Sequence, residues 1–113
     1  MNGTTVNDAT ALPREARVPG ARAVLRVFTH PACAGCGEAV RRAARFAEEH
    51  PEVELRTVRL EEAEGLAEAH AERILNIPTT ILERDGRLLG RWVGAPEAAM
   101  LEAALAAAAE ASR

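Results

Sequence analysis

The sequence predicts an α/β fold with a central mixed sheet of about four strands and helices on both faces. Strand-like and helix-like segments alternate between residues 23 and 75, and two further strand-like segments then flank an Asp-Gly pair. Alternating strands and helices favour parallel pairing with right-handed crossovers, whereas Asp-Gly between two strands is typical of an antiparallel hairpin. The predicted domain covers residues 21–113 and follows an irregular N-terminal extension over residues 1–20.

The composition is that of a soluble globular protein. Of the 113 residues, 48% are hydrophobic and 27% are charged, which suits one domain with a single core. The net charge is −3, every basic residue is an arginine, and no basic cluster favours nucleic-acid binding. No apolar run reaches the roughly 18 residues of a membrane-spanning helix, and the polar N-terminus lacks the apolar core of a secretory signal. We therefore expect a cytoplasmic protein that binds neither nucleic acid nor membranes.

The first strand is predicted over residues 23–28, a largely apolar segment typical of a buried central strand. A helical pattern follows over residues 34–49 and ends at His50, because the residue before Pro51 disfavours the helical conformation. The predicted apolar stripe of this helix comprises Cys36, Val40, Ala43, Ala44 and Ala47.

A second strand and a second helix are predicted over residues 53–60 and 61–75. The helix has an acidic first turn, which suits the positive end of the helix dipole. Leu66, His70 and Ile74 recur at intervals of four and are predicted to share one face. The arginines of the chain are expected at a solvated surface.

The last part of the chain predicts a hairpin and a final helix. Residues 79–83 and 88–93 are strand-like, with the Asp-Gly turn between them. Pro96 and Glu97 open the helix. Its apolar stripe comprises Leu101, Leu105 and Ala108.

The candidate site is formed by Cys33 and Cys36, the two cysteines of the chain, at the start of the first helix. Two thiols separated by two residues can close into a disulfide and reopen with little backbone movement. The unpaired N–H groups and positive dipole end of the helix stabilise a thiolate at Cys33, which is the nucleophilic form. In a reducing compartment such a pair is more often catalytic or metal-binding than a structural crosslink.

Three features occur in a fixed order along the chain. They are an apolar strand leading into Cys33-Ala34-Gly35-Cys36, the segment Asn76-Ile77-Pro78-Thr79 before a strand, and Val93-Gly94-Ala95 before an amphipathic helix. Together they resemble the thioredoxin superfamily, and thioredoxin itself more than glutaredoxin. The resemblance covers the chain from about Gly20 to the C-terminus. A Cys-x-x-Cys alone is weak evidence, whereas all three features in this order and spacing are strong evidence.

The resemblance implies a thioredoxin-like fold and thiol–disulfide oxidoreductase activity. It assigns Cys33 as the attacking thiolate and Cys36 as the resolving thiol. It also implies that Ile77, Pro78 and Gly94 line a groove for an extended substrate segment, with a cis peptide bond before the proline. The implied partners are disulfide-containing proteins and a separate reductase or small thiol that supplies electrons. No bound cofactor is expected.

Several positions depart from the pattern of that superfamily. Ala32 stands where a tryptophan usually precedes the first cysteine, and Ala34-Gly35 stands in place of Gly-Pro. The buried acid that members often carry on the preceding strand falls at Val27, so the usual proton acceptor for Cys36 is missing. These differences affect redox potential and rate and leave the dithiol chemistry itself in place.

Two other interpretations of the cysteine pair stay open at this point. Cys33 and Cys36 can be two inert, buried cysteines that happen to be close. Alternatively, His30 adds a third ligand, and the loop holds zinc or, across a dimer, an iron–sulfur cluster. A closed zinc site needs a fourth ligand, and none is evident nearby; a solvated loop histidine is the commoner role. The alternative function is a redox-inert module that binds a metal or a protein partner through the same groove.

Overall fold

The computed structural model describes residues 23–111, and the extension predicted over residues 1–20 lies outside this range. Within it, strands and helices alternate before a closing hairpin and helix. The elements are β1 (Ala23–Thr29), α1 (Cys36–Glu49), β2 (Val53–Arg59), α2 (Ala63–Ala71), β3 (Thr79–Arg84), β4 (Arg87–Val93) and α3 (Ala98–Ala111). None of the helices in residues 23–111 has the length and apolar character needed to span a bilayer.

The four strands form one mixed sheet in the order β2-β1-β3-β4. β1 pairs with β2 in parallel and with β3 in antiparallel orientation, and β4 extends β3 antiparallel. The predicted α/β class and four-stranded mixed sheet are confirmed. The hairpin turn also lies where it was predicted, at Asp85 and Gly86, whose φ values are 51° and 80°. Positive φ at both central residues matches the twist of a two-residue hairpin.

The larger core cluster lies between one face of the sheet and the helices α1 and α3. Leu101 and Leu105 of α3 face this layer as predicted. The buried residues of α1 are Cys36, Ala39, Ala43 and Phe46. The buried face of the helix is therefore rotated slightly about the helix axis from the predicted stripe, and the prediction is wrong for Ala44 and Ala47. Phe46 carries the largest apolar surface on α1, and its burial sets which face of the helix meets the sheet. The helix also begins at Cys36 rather than at position 34.

α2 covers the opposite face of the sheet and differs from its prediction in length and in orientation. It spans Ala63–Ala71 rather than residues 61–75, and it buries Gly65, Glu68 and Ala69 while Leu66 stays 42% exposed. A Cβ added to Gly65 would overlap the carbonyl oxygen of Arg59. Only glycine permits α2 to approach the backbone of β2 so closely. The helix therefore packs against the sheet through the face that carries Gly65 rather than the face that carries Leu66.

The α2 face of the sheet contains a buried ion network centred on Arg26. This arginine is 6% exposed, so the prediction of a solvated surface is wrong for it. Its guanidinium donates to Glu68 at 2.6 Å, to Glu72 at 2.7 Å and to Glu83 at 2.6 Å. Glu68 also pairs with Arg56 at 2.7 Å. A charge removed from water must be paired, and these bonds tie α2 to β1, β2 and β3.

Ionisation within the network is shifted toward the charged forms. Burial by itself raises the pKa of Glu68, but hydrogen bonds from Arg56 and Arg26 outweigh it and hold the pKa below its usual range. Burial by itself lowers the pKa of Arg26, and its bonds to Glu72 and Glu68 outweigh that effect and raise it. Both groups therefore stay charged at neutral pH.

Glu68→Gln is expected to lower the free energy of unfolding at neutral pH. It should also reduce the further decrease in that free energy as the pH falls into the acid range. The pKa of Glu68 is lower in the folded state, so its contribution is complete above about pH 4.5 and is lost as the pH falls through the folded value. At neutral pH we expect a cost of about 1–3 kcal/mol, because glutamine keeps one acceptor oxygen but replaces the other with an NH2 donor, which leaves a buried donor of Arg26 or Arg56 without its acceptor. Urea denaturation at graded pH measures both effects.

Glu38→Gln is the matched control for this substitution. Glu38 also pairs with two arginines, Arg41 and Arg42, and their hydrogen bonds lower its pKa. It lies on the exposed side of α1, where ion pairs contribute little to stability. The control should therefore follow the wild-type profile closely, and equal losses in both variants would contradict the role assigned to the buried network.

Candidate functional site

Cys33 and Cys36 are joined by a disulfide whose Cα atoms lie 5.5 Å apart. The bond closes the turn between the end of β1 and the first residue of α1. Cys36 is 5% exposed, while Cys33 is only half-buried and lies nearer the solvent. This is the arrangement that the helical pattern predicts, and it differs from a pair of inert, fully buried thiols.

The turn that carries the cysteines is short and is closed by backbone hydrogen bonds. The N–H of Cys33 donates to the His30 carbonyl at 3.0 Å, and the N–H of Cys36 donates to the Cys33 carbonyl at 3.4 Å. Gly35 occupies the N-cap of α1, and it supplies no side-chain hydrogen bond to the first turn. The first-turn N–H groups therefore retain their positive character beside the sulfur atoms.

Pro78 packs directly against this turn. A Cβ built on Gly35 would lie 3.6 Å from the Pro78 Cδ atom, so the proline ring lies close to the Cys-x-x-Cys loop. Pro78 is buried and the Ile77–Pro78 peptide bond is cis. The Ile77 side chain packs against the smaller core cluster on the α2 face.

Gly94 lies beside Pro78, to which it is joined by a backbone hydrogen bond. Its N–H donates to the Pro78 carbonyl at 2.7 Å. Its φ of 99° is one that residues with a side chain rarely adopt, and a Cβ added there would meet nothing within 4 Å. The structure thus brings Gly94 to Pro78, which lies beside the cysteine turn, with open space beside the glycine.

Two side chains that support this region were not predicted from the sequence. The Thr80 hydroxyl donates to the Gly94 carbonyl at 3.2 Å, and Arg42 donates to the Ala95 carbonyl at 2.9 Å. Arg42 is itself fixed by Glu38 at 2.8 Å. The Arg42 bond joins α1 to a loop far along the chain, and no spacing in the sequence signals it.

The described residues do not gather a set of metal ligands. Within residues 23–111, no group of three or more His, Cys, Asp or Glu side chains is placed to hold a metal ion. The Nδ1 atom of His30 accepts the N–H of Ala32 at 3.0 Å, and both sulfur atoms take part in the disulfide. In the described residues, the His30 Nδ1 atom and the two sulfur atoms are thus engaged in bonds with other groups of the protein.

Known proteins resemble the chain in structure. No protein-family model and no curated protein sequence matches it. Thioredoxin from Trypanosoma brucei brucei matches with a TM-score of 0.66 and 26% identity over 82% of this chain and 80% of that one. Thioredoxin from Fasciola hepatica matches with a TM-score of 0.64 and 25% identity, over 74% of this chain and 79% of that one. The oxidized form of mitochondrial thioredoxin 3 from Saccharomyces cerevisiae matches with a TM-score of 0.62 and 21% identity, over 75% of this chain and 77% of that one.

The chain adopts the thioredoxin fold. The resemblance drawn from the Cys-x-x-Cys, Ile-Pro and Val-Gly segments is therefore confirmed at the level of the fold. A thioredoxin fold with a disulfide between Cys33 and Cys36 supports a thiol–disulfide oxidoreductase at the family level.

In the reduced protein, Cys33 is expected to react with iodoacetamide faster than Cys36. Cys33 is the more exposed of the two, and the N-terminus of α1 favours its thiolate. We expect rate constants that differ by about tenfold or more at neutral pH, which corresponds to about 1.4 kcal/mol in activation free energy. Timed alkylation followed by peptide mass analysis measures each cysteine separately, and equal rates would contradict the roles assigned to the two thiols.

Proposed function

We propose that this protein exchanges its Cys33–Cys36 dithiol and disulfide with disulfides in partner proteins. The observation that carries the proposal is the disulfide itself, in a turn that lies beside Pro78, with open space at Gly94, which is hydrogen-bonded to that proline. The thioredoxin fold supports the same chemistry at the family level. In the reducing direction, the protein gives up two electrons and the partner disulfide becomes two thiols.

The first step is the attack of the Cys33 thiolate on one sulfur of the partner disulfide. A bond forms between Cys33 and that sulfur, and the second partner sulfur leaves as a thiolate that takes up a proton. The half-exposed position of Cys33 gives a partner access to its sulfur, while the N-terminus of α1 stabilises the attacking negative charge. The product of this step is a mixed disulfide.

The second step is internal. Cys36 loses its proton and attacks the Cys33 sulfur, so that the Cys33–Cys36 bond forms and the bound partner sulfur leaves as a thiolate. The Cα separation of 5.5 Å lies within the usual range for a disulfide, so the bond closes without a large backbone movement. Because Cys36 is 5% exposed, it reacts with the neighbouring Cys33 sulfur rather than with a second partner molecule.

An extended partner segment is proposed to lie along Ile77, Pro78 and Gly94. The absence of side-chain atoms at Gly94 leaves room for a second backbone there. Leu75 and Val93 flank the two segments and are 89% and 68% exposed, so they offer apolar contacts to such a segment. We propose that electrons come from a separate reductase or a small thiol. The cytoplasmic location expected from the sequence stays a prediction.

Single replacement of each cysteine tests this function. Cys33→Ser should abolish the dithiothreitol-coupled reduction of insulin because the attacking sulfur is lost. Cys36→Ser should instead accumulate mixed disulfides with partner proteins, since the internal second step is blocked. Both are followed by a turbidity assay and by non-reducing electrophoresis with mass analysis. Circular dichroism of both variants controls for folding, and retained reductase activity in Cys33→Ser would contradict the proposal.

A further inference from the structure

His30 holds the backbone immediately before the first cysteine. Its ring Nδ1 accepts the N–H of Ala32 at 3.0 Å, and its carbonyl accepts the N–H of Cys33 at 3.0 Å. One residue thus fixes two consecutive N–H groups of the turn. Among residues 23–111, no other side chain forms a hydrogen bond with the backbone of residues 31–35.

The sheet fixes the position of His30 itself. The preceding residue, Thr29, is the last of β1, and its carbonyl accepts the N–H of Leu60 at 2.9 Å. The following residue, Pro31, disfavours the helical conformation at His30 and contributes no N–H of its own. The chain therefore passes from an anchored strand end through His30 to Cys33.

The hydrogen bonds of His30 matter most when the disulfide is open. The covalent tie between Cys33 and Cys36 is then lost, and the turn depends on its remaining interactions. Pro78 lies beside Gly35, but the residues nearer to His30 gain little from packing because Pro31, Ala32 and Ala34 are exposed to solvent. On the N-terminal side of Cys33, the two acceptor atoms of His30 continue to orient the backbone of Ala32 and Cys33, while on its C-terminal side the Cys33 carbonyl accepts the N–H of Cys36.

We propose that His30 is a positioning residue for the Cys33 thiolate, acting through the hydrogen bond between its ring and the Ala32 N–H. The proposal rests on the thiol–disulfide exchange described above and assigns to His30 a role other than that of a metal ligand. An imidazole that accepts at Nδ1 carries its proton on Nε2, so the neutral ring makes this bond. By holding the turn, the ring keeps the Cys33 sulfur close to the first N–H groups of α1.

Two substitutions separate the hydrogen bond from the bulk and charge of the ring. His30→Phe keeps a planar ring and removes the acceptor. His30→Asn also removes the imidazole, but an asparagine carbonyl accepts readily from the N–H two residues ahead, which is the Ala32 position here. We therefore expect Cys33 to react at similar rates in the wild type and in His30→Asn, and more slowly in His30→Phe.

The test uses the full chain in the Cys36→Ser background, where Cys33 is the single thiol. The rate of iodoacetamide alkylation is measured across a range of pH. We expect His30→Phe to slow alkylation at neutral pH by about two- to tenfold, the effect of one hydrogen bond, and to move the midpoint of the profile to higher pH. His30→Asn should stay within about twofold of the parent, because it retains the bond. Thermal unfolding of each variant, with His30→Ala in place of His30→Phe if the latter does not fold, controls for a general loss of structure.

Two outcomes would overturn the proposal. The first is an unchanged profile in His30→Phe, and the second is an equal shift in His30→Phe and His30→Asn, which would assign the effect to the ring's charge or bulk. The alkylation assay needs no protein partner. Failure of wild-type protein with both cysteines to reduce insulin would count against the proposed function alone, and the comparison of His30 variants would still decide the role of His30.

Discussion

The burial of β1 on both faces of the sheet is the constraint on which the rest of the structure depends. β1 has hydrogen-bonded neighbours on both edges, and helices cover it from both sides. Toward α1 it presents Leu25 and Val27, which need only apolar contacts. Toward α2 it presents Arg26, which is stable there because three carboxylates surround it. The same ion pairs hold α2 on the sheet, and Arg91 of β4 donates to the carbonyls at the end of that helix.

Strand register then explains how distant residues meet at the disulfide. Phe28 of β1 pairs with Thr79 of β3 in antiparallel orientation. Pro78, which precedes Thr79, therefore lies beside the residues that follow Phe28 and lead into the cysteine turn. Thr79 also pairs with Val93, the last residue of β4, which brings Gly94, the residue after that strand, to Pro78. Pro78 and Gly94 therefore lie beside the cysteine turn because of antiparallel pairing on one side of β1. The parallel partner on the other side requires the crossover that becomes α1, and α1 begins at Cys36.

Local patterns in the sequence predicted those parts of the fold that depend on neighbouring residues. The apolar strand before the cysteines, the helix end at His50 and the Asp-Gly hairpin are of this kind. The face of α2 could not be found by apolar periodicity, since its most important buried residue is Glu68, whose charge is compensated by arginines on two strands. The contact of His30 with Ala32 has no signature in residue type, because a loop histidine is more often solvated.

The most direct test of the central claim is the equilibrium between the dithiol and the disulfide of the purified protein in a graded series of thiol–disulfide buffers. Alkylation and intact mass measure the fraction of each form. We expect a single two-electron transition of the Cys33–Cys36 pair, with a slope near 30 mV per decade and a midpoint between about −270 and −120 mV. Failure to form an intramolecular disulfide across the series, or protection of both thiols by stoichiometric bound metal, would contradict the assignment of this site to thiol–disulfide exchange.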